Sequence, residues 1–186
     1  MDFPDEDPTV IKALINGMYR LDYTDDQDIT GVAVNPFIFN ANIFAVAEKY
    51  DIPALKLLAA QKFRSHRSRL TTTSDQEKAN EITAFGEAIR IVFSSTPSSE
   101  KLLREIALDI TMDHVDDLLD SESFCNEVED APGFGMKVAV RQKQMSAKAI
   151  KPAWKCLRCA TKWLAIEKGS YYAYCPGCGN RAAVMS

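Results

Sequence analysis

Ala41-Asn-Ile-Phe-Ala-Val-Ala-Glu-Lys-Tyr-Asp-Ile-Pro-Ala-Leu-Lys56, continued by Leu57-Leu-Ala-Ala-Gln-Lys-Phe63, is the stretch that decides the fold. Ile43, Phe44, Val46 and Ala47 recur at helical spacing and predict one inward face. Tyr50-Asp-Ile-Pro53 breaks that helix, because proline cannot continue the hydrogen-bond ladder but suits a first helical position. Pro53 then opens a third helix whose apolar side is Leu55, Leu57, Leu58 and Phe63. Two apolar helices joined by so tight a break predict a mainly α-helical body.

Upstream, Asp7 is a capping residue and Pro8 a first-turn residue, so the first helix begins there. Val10, Ile11, Leu14, Ile15 and Met18 give it a broad apolar face. Residues 22–35 are polar and turn-rich, with a short apolar stretch at Val32–Val34. Downstream, Asp75–Phe93 reads as a helix with Ile82, Phe85, Ile89 and Val92 on one side. Ser94–Ser99 is a loop, and Ser98 or Ser99 is expected to cap a helix carrying Leu102, Leu103, Ile106 and Ile110. Shorter helices are expected over 112–119, 121–128 and 132–144.

The last third changes character. Cys156 and Cys159 form one C-x2-C pair and Cys175 and Cys178 another, with fifteen residues between them. Each pair turns two thiolates toward one point, and two pairs complete the tetrahedral all-sulfur shell of a structural zinc site. Gly177 and Gly179 supply the backbone freedom such turns need. Two redox motifs would want a βαβ surround, which the sequence lacks, and disulfides an oxidising compartment. One structural Zn2+ is the expected cofactor. With four thiolates bound it has no open position for catalysis. Trp163–Ile166 and Tyr171–Tyr174, on either side of Gly169, read as a β-hairpin between the two knuckles. The expected architecture is therefore mainly α with a small β zinc ribbon at the C-terminus. Its parts are helical regions at 1–70 and 71–144, a linker at 145–152 and the ribbon at 153–186.

Charge divides along the same line. Residues 1–140 carry 13 Lys+Arg against 25 Asp+Glu, a net −12, while residues 141–186 carry 9 against 1, a net +8. A basic module on an acidic body attracts acidic partners or nucleic acid. Lys155, Arg158, Lys162, Trp163 and Arg181 are the candidate contacts, pairing cations for phosphate with an aromatic for base stacking. Trp154, Lys168, Tyr171, Tyr172 and Tyr174 add to that set, although a ribbon so small also needs its aromatics as core. No apolar run approaches the length of about 18 residues that a membrane span requires. The acidic start, Met1-Asp-Phe-Pro-Asp-Glu-Asp7, is unlike a secretory signal. Together with cysteines spaced for metal, that start points to the cytosol or nucleus.

Three further residues invite chemistry and receive plainer readings. His66 lies in a basic run, Lys62 to Arg69, expected to be the solvated end of a helix. His114 stands among Asp113, Asp116 and Asp117, expected to be a solvated face. Cys125, between Phe124 and Val128, is expected in the core. No ordered catalytic set is visible, so an enzyme is not expected.

The helical part resembles the fungal BTB/POZ proteins, in the second half of their BTB domain and the helices after it. The segments that carry the resemblance are Asp5–Pro8 through Ile15–Tyr19 and Asp22-Tyr23, then Ala41–Lys56 with Ala60–Phe63, then Glu87–Val92 with Ser95–Pro97 and Leu102–Arg104. Together they cover roughly residues 3–140. The resemblance implies a non-enzymatic adaptor that binds protein partners through apolar helix faces, including recruitment to ubiquitin ligases. The strand-rich half that builds the family's dimer interface has no counterpart in this sequence, so a BTB-type homodimer is not expected. A nucleic-acid-binding or transcription-linked role for the basic ribbon is the alternative.

Overall fold

A computed structural model describes residues 7–27, 30–72, 74–148, 153–156, 158–159, 162–164, 177–179 and 183–184. The chain divides into two compact units, Met1–Ala139 and Val140–Ser186. Helices α1 (Pro8–Arg20), α2 (Pro36–Lys49) and α3 (Pro53–Ser65) come first, and a 3-10 turn over His66–Thr71 leads to α4 (Asp75–Ser95). Helices α5 (Leu102–Asp113), α6 (Val115–Leu119), α7 (Glu122–Glu129) and α8 (Phe134–Lys148) follow. No helix among the described residues is long and apolar enough to cross a membrane.

Proline opens each of the first three helices, and side-chain oxygens cap two of them. Asp7 Oδ1 accepts from the Thr9 N–H at 2.6 Å, and Asn35 Oδ1 from the Phe37 N–H at 2.9 Å. The break between α2 and α3 is the tight turn the sequence predicts: Asp51 takes a left-handed φ of 52°, and the Ile52 N–H reaches back to the Ala47 carbonyl at 2.8 Å.

Helix α2 is buried along most of its surface, as an apolar helix must be when neighbours cover it on several sides. It packs against α1, α3 and α4. A chain of phenylalanine rings ties the body together. Phe37 of α2 meets Phe63 of α3 and Phe85 of α4 edge-on, each at 5.1 Å between centroids. Phe85 stacks on Phe124 of α7 at 6.2 Å, and Phe134 of α8 contacts Phe93 of α4 at 5.3 Å. Gly86 permits the α4–α7 approach, since a Cβ there would lie 3.0 Å from Glu127 Cβ and 3.2 Å from a Phe124 ring carbon. The helices before and after residue 70 thus share one core.

Two polar clusters are built into that core. Asn40, fully buried, donates to Asp25 Oδ2 at 2.7 Å and to the Pro36 carbonyl at 2.8 Å, and accepts from the Tyr23 hydroxyl at 2.5 Å. Asp25 also bonds His66 Nε2 at 2.9 Å. These contacts fasten the polar segment 22–27 to α2 and to the 3-10 turn. Burial opposes ionisation of Asp25, but the Asn40 and His66 bonds outweigh it and hold its carboxyl below the usual range. Burial also pushes the Tyr23 hydroxyl far above its ordinary value. The second cluster surrounds Arg104, which caps the C-terminal end of α4.

The structure revises several sequence expectations. Leu57 is exposed, because α3 turns Leu55, Ala59, Ala60 and Phe63 inward and Leu57 lies off that face. On α1 only Val10, Ala13, Leu14 and Gly17 are buried, so Ile15 and Met18 face outward. The Leu102 N–H at the start of α5 is accepted by Glu100 Oε1 at 2.7 Å rather than by a serine. His66 is half-buried against Phe37 and bonded to Asp25 instead of solvated. Cys125 is exposed, since α7 buries Phe124 and the next residue turns about 100° away.

Candidate metal centre

Among the described residues the second unit has three short strands, β1 (Ala153–Lys155), β2 (Lys162–Leu164) and β3 (Ala183–Val184). They form an antiparallel sheet in the order β2-β1-β3. The strand holding Trp163 therefore pairs with the segment before the first knuckle, with Trp154 opposite Trp163 and Lys155 opposite Lys162. The hairpin that the sequence predicts between this strand and Tyr171–Tyr174 lies outside the described residues. The physical reason for the observed pairing is local. The Cys156–Cys159 turn reverses the chain, so the residues flanking it are the nearest antiparallel partners.

Cys156 follows β1 directly, and the sheet register thereby places the first knuckle at a strand end. The sulfurs of Cys156, Cys159 and Cys178 all lie within 4.8 Å of one another, with Cys156 Sγ and Cys178 Sγ 3.5 Å apart. Ligands at about 2.3 Å from a tetrahedral ion stand about 3.8 Å from each other. The observed convergence therefore fits a shared metal ion, and the all-sulfur donor set suits a soft or borderline one.

The backbone prepares the first sulfur for that role. The N–H groups of Arg158 and Cys159 point at Cys156 Sγ, at 3.4 Å and 3.5 Å. The Cys159 N–H is the largest influence holding the Cys156 thiol below its usual range; burial opposes it and the Arg158 N–H assists. Gly179, just after Cys178, takes a φ of 69°, a left-handed turn that glycine makes without strain. Cys156 is 1% exposed, Cys178 is half-buried and Cys159 is exposed.

Cys175, the fourth predicted ligand, lies outside the described residues, as does Arg181. Of the predicted contact residues, Arg158 is exposed on the first knuckle, while Lys155 and Lys162 occupy one cross-strand position beside it.

On the helical unit, α1 presents exposed apolar side chains at Ile15 (44%), Met18 (43%) and Tyr19 (84%), and at Leu21 (77%) just past its end. Leu21 takes a left-handed φ of 60°, which turns the chain out of the helix there. The sequence showed the apolar character of these positions but not their exposure, because α1 is apolar over more of its circumference than α2 and α3 cover. The basic run after Lys62 is charge-compensated: Lys62 pairs with Asp22 at 3.0 Å, Arg64 with Asp109 at 4.0 Å, Arg67 with Asp113 at 3.9 Å, and Arg69 with Glu81.

Comparison with protein-family models, with curated proteins and with solved structures returned no match.

Proposed function

We propose that this protein is a non-catalytic interaction protein, an adaptor whose helical unit binds a protein partner and whose C-terminal unit is a ribbon held by one structural zinc ion. The apolar side chains left outward on α1 carry the reading. Ile15, Met18, Tyr19 and Leu21 lie within seven residues of one another and are each more than two-fifths exposed. Clusters of exposed apolar side chains of this kind mark association surfaces. An adaptor role is also what the BTB/POZ resemblance of the helical segments implies.

The zinc is assigned to Cys156, Cys159, Cys175 and Cys178. Its function is structural, because four thiolates close the coordination shell and because zinc supplies on the order of 10 kcal/mol to the folding of a unit this small. The test is a paired variant, Ile15→Asp with Tyr19→Asp. It is expected to abolish capture of the partner from cell extract while leaving thermal unfolding within about 2 °C of the parent, as exposed substitutions do. Undiminished capture by the paired variant sinks the α1 assignment.

One observation favours a second reading, nucleic-acid binding by the ribbon. The strand register sets Lys155 opposite Lys162 at the end of β1 and β2 next to the turn that carries Arg158, in a segment of net +8 that also holds Trp163 and Arg181. Under this reading the affinity for a single-stranded oligonucleotide falls steeply with salt, and replacing Arg158 and Lys162 by alanine flattens that slope by about two phosphate contacts. Binding that ignores both salt and these substitutions rules it out.

A further inference from the structure

We infer that Cys159 is an oxidation site through which peroxide releases the metal, making the C-terminal unit sensitive to oxidants. The inference rests on the zinc reading above and adds to it a site of modification. Three observations carry it. Cys159 is exposed, whereas Cys156 is 1% exposed and Cys178 half-buried, so a small oxidant in solvent reaches Cys159 ahead of those two. Both neighbouring sulfurs lie within 4.8 Å of Cys159 Sγ, close enough for either to attack it after modest rotation. Cys159 also shares one turn with Cys156, whose sulfur accepts from the Cys159 N–H at 3.5 Å.

The chemistry balances with hydrogen peroxide as the oxidant. The Cys159 thiolate attacks one peroxide oxygen, the O–O bond breaks, and hydroxide leaves and takes a proton from solvent. Cys159 is then a sulfenic acid. The thiolate of Cys156 or Cys178 attacks that sulfur, the S–S bond forms, the S–O bond breaks, and a second hydroxide leaves as water. Two thiolates and one peroxide, with two protons, give one disulfide and two waters. The ion has lost two of its ligands and departs.

The experiment uses the full-length chain loaded with zinc and carrying Cys125→Ser, which removes the exposed cysteine outside the cluster. One equivalent of hydrogen peroxide is added with a 1,3-diketone that traps sulfenic acids, and peptides are mapped by mass spectrometry. Without the trap, a chromophoric chelator follows zinc release. The first trapped sulfur is expected at Cys159, and zinc release is expected to match disulfide formation one to one. Cys159→His keeps a four-ligand set that zinc accepts, and it is expected to slow peroxide-driven release at least tenfold. Trapping first at Cys175 or Cys178, or equal release from the histidine variant, overturns the inference while leaving the zinc assignment intact. A chain that holds no zinc before peroxide is added overturns both.

Discussion

Replacing Arg104 by methionine should unfold the helical unit at markedly lower denaturant. Pro97 stands four residues after Phe93 and has no N–H, so the Phe93 carbonyl cannot be satisfied within α4. Arg104 takes over: its guanidinium donates to the Phe93 carbonyl at 3.0 Å, to the Thr96 carbonyl at 2.6 Å and to Thr96 Oγ1 at 3.1 Å. The same group lies 4.6 Å from the centre of the Phe93 ring, and the residue is 4% exposed. Hydrogen bonds from a charged donor contribute about 1.5–3 kcal/mol each, and a buried acceptor left unpaired costs about 1–3 kcal/mol. Against this, methionine escapes the several kcal/mol that desolvating a guanidinium costs. The net expectation is a loss of about 3 kcal/mol. In urea, followed by helical circular dichroism, the midpoint should fall with an unchanged slope, and the melting temperature should drop by roughly 10 °C for a unit of this size. Thr96→Ala shares the same acceptors, so the double variant should be non-additive by more than about 0.5 kcal/mol. If Arg104→Met changes stability by less than about 0.5 kcal/mol, the capping argument is wrong.

Other outcomes follow from the same structure. The Asp25 carboxyl titrates lower in the folded chain than in the unfolded one, so its contribution is complete above the unfolded value of about 3.9 and is lost as pH falls through the folded value. Asp25→Asn should therefore flatten the acid limb of the stability–pH curve, and an unchanged limb contradicts the network. Gly86→Val should cost about 1–3 kcal/mol by wedging α4 from α7, where Phe124 and Glu127 already crowd the position; a neutral result would mean those helices part easily. Metal analysis should find one zinc per chain. Cys178→Ser should release it and unfold residues 153–183 while the helical dichroism persists, because the helices lie mostly in the other unit; loss of the helical signal would show the two units to be coupled.

Ile82, Phe85, Ile89 and Val92 of α4 were legible because they recur at helical spacing, whereas α2, buried along most of its surface, has no single face for a period to mark. Pro8 and Pro53 marked helix starts for a reason internal to each residue. The Cys156–Cys159 pair was legible for the same kind of reason, since the geometry of a thiolate turn is set within four residues. Exposure on α1 was not legible. An apolar side chain reads alike whether a neighbour covers it or not, and only the packing of α2 and α3 leaves Ile15 and Met18 outside. Nor could local pattern show that Asp25, separated from His66 by forty residues of chain, would be its partner.

By itself the sequence determined the helical class, the starts of α1, α3 and α4 and the cysteine spacing, because each depends on contacts within a turn or two of chain. Tertiary structure alone decided that Arg104 caps a helix other than its own and that His66 is engaged rather than solvated. Those outcomes depend on which distant groups arrive at the same place, and no local propensity carries that information.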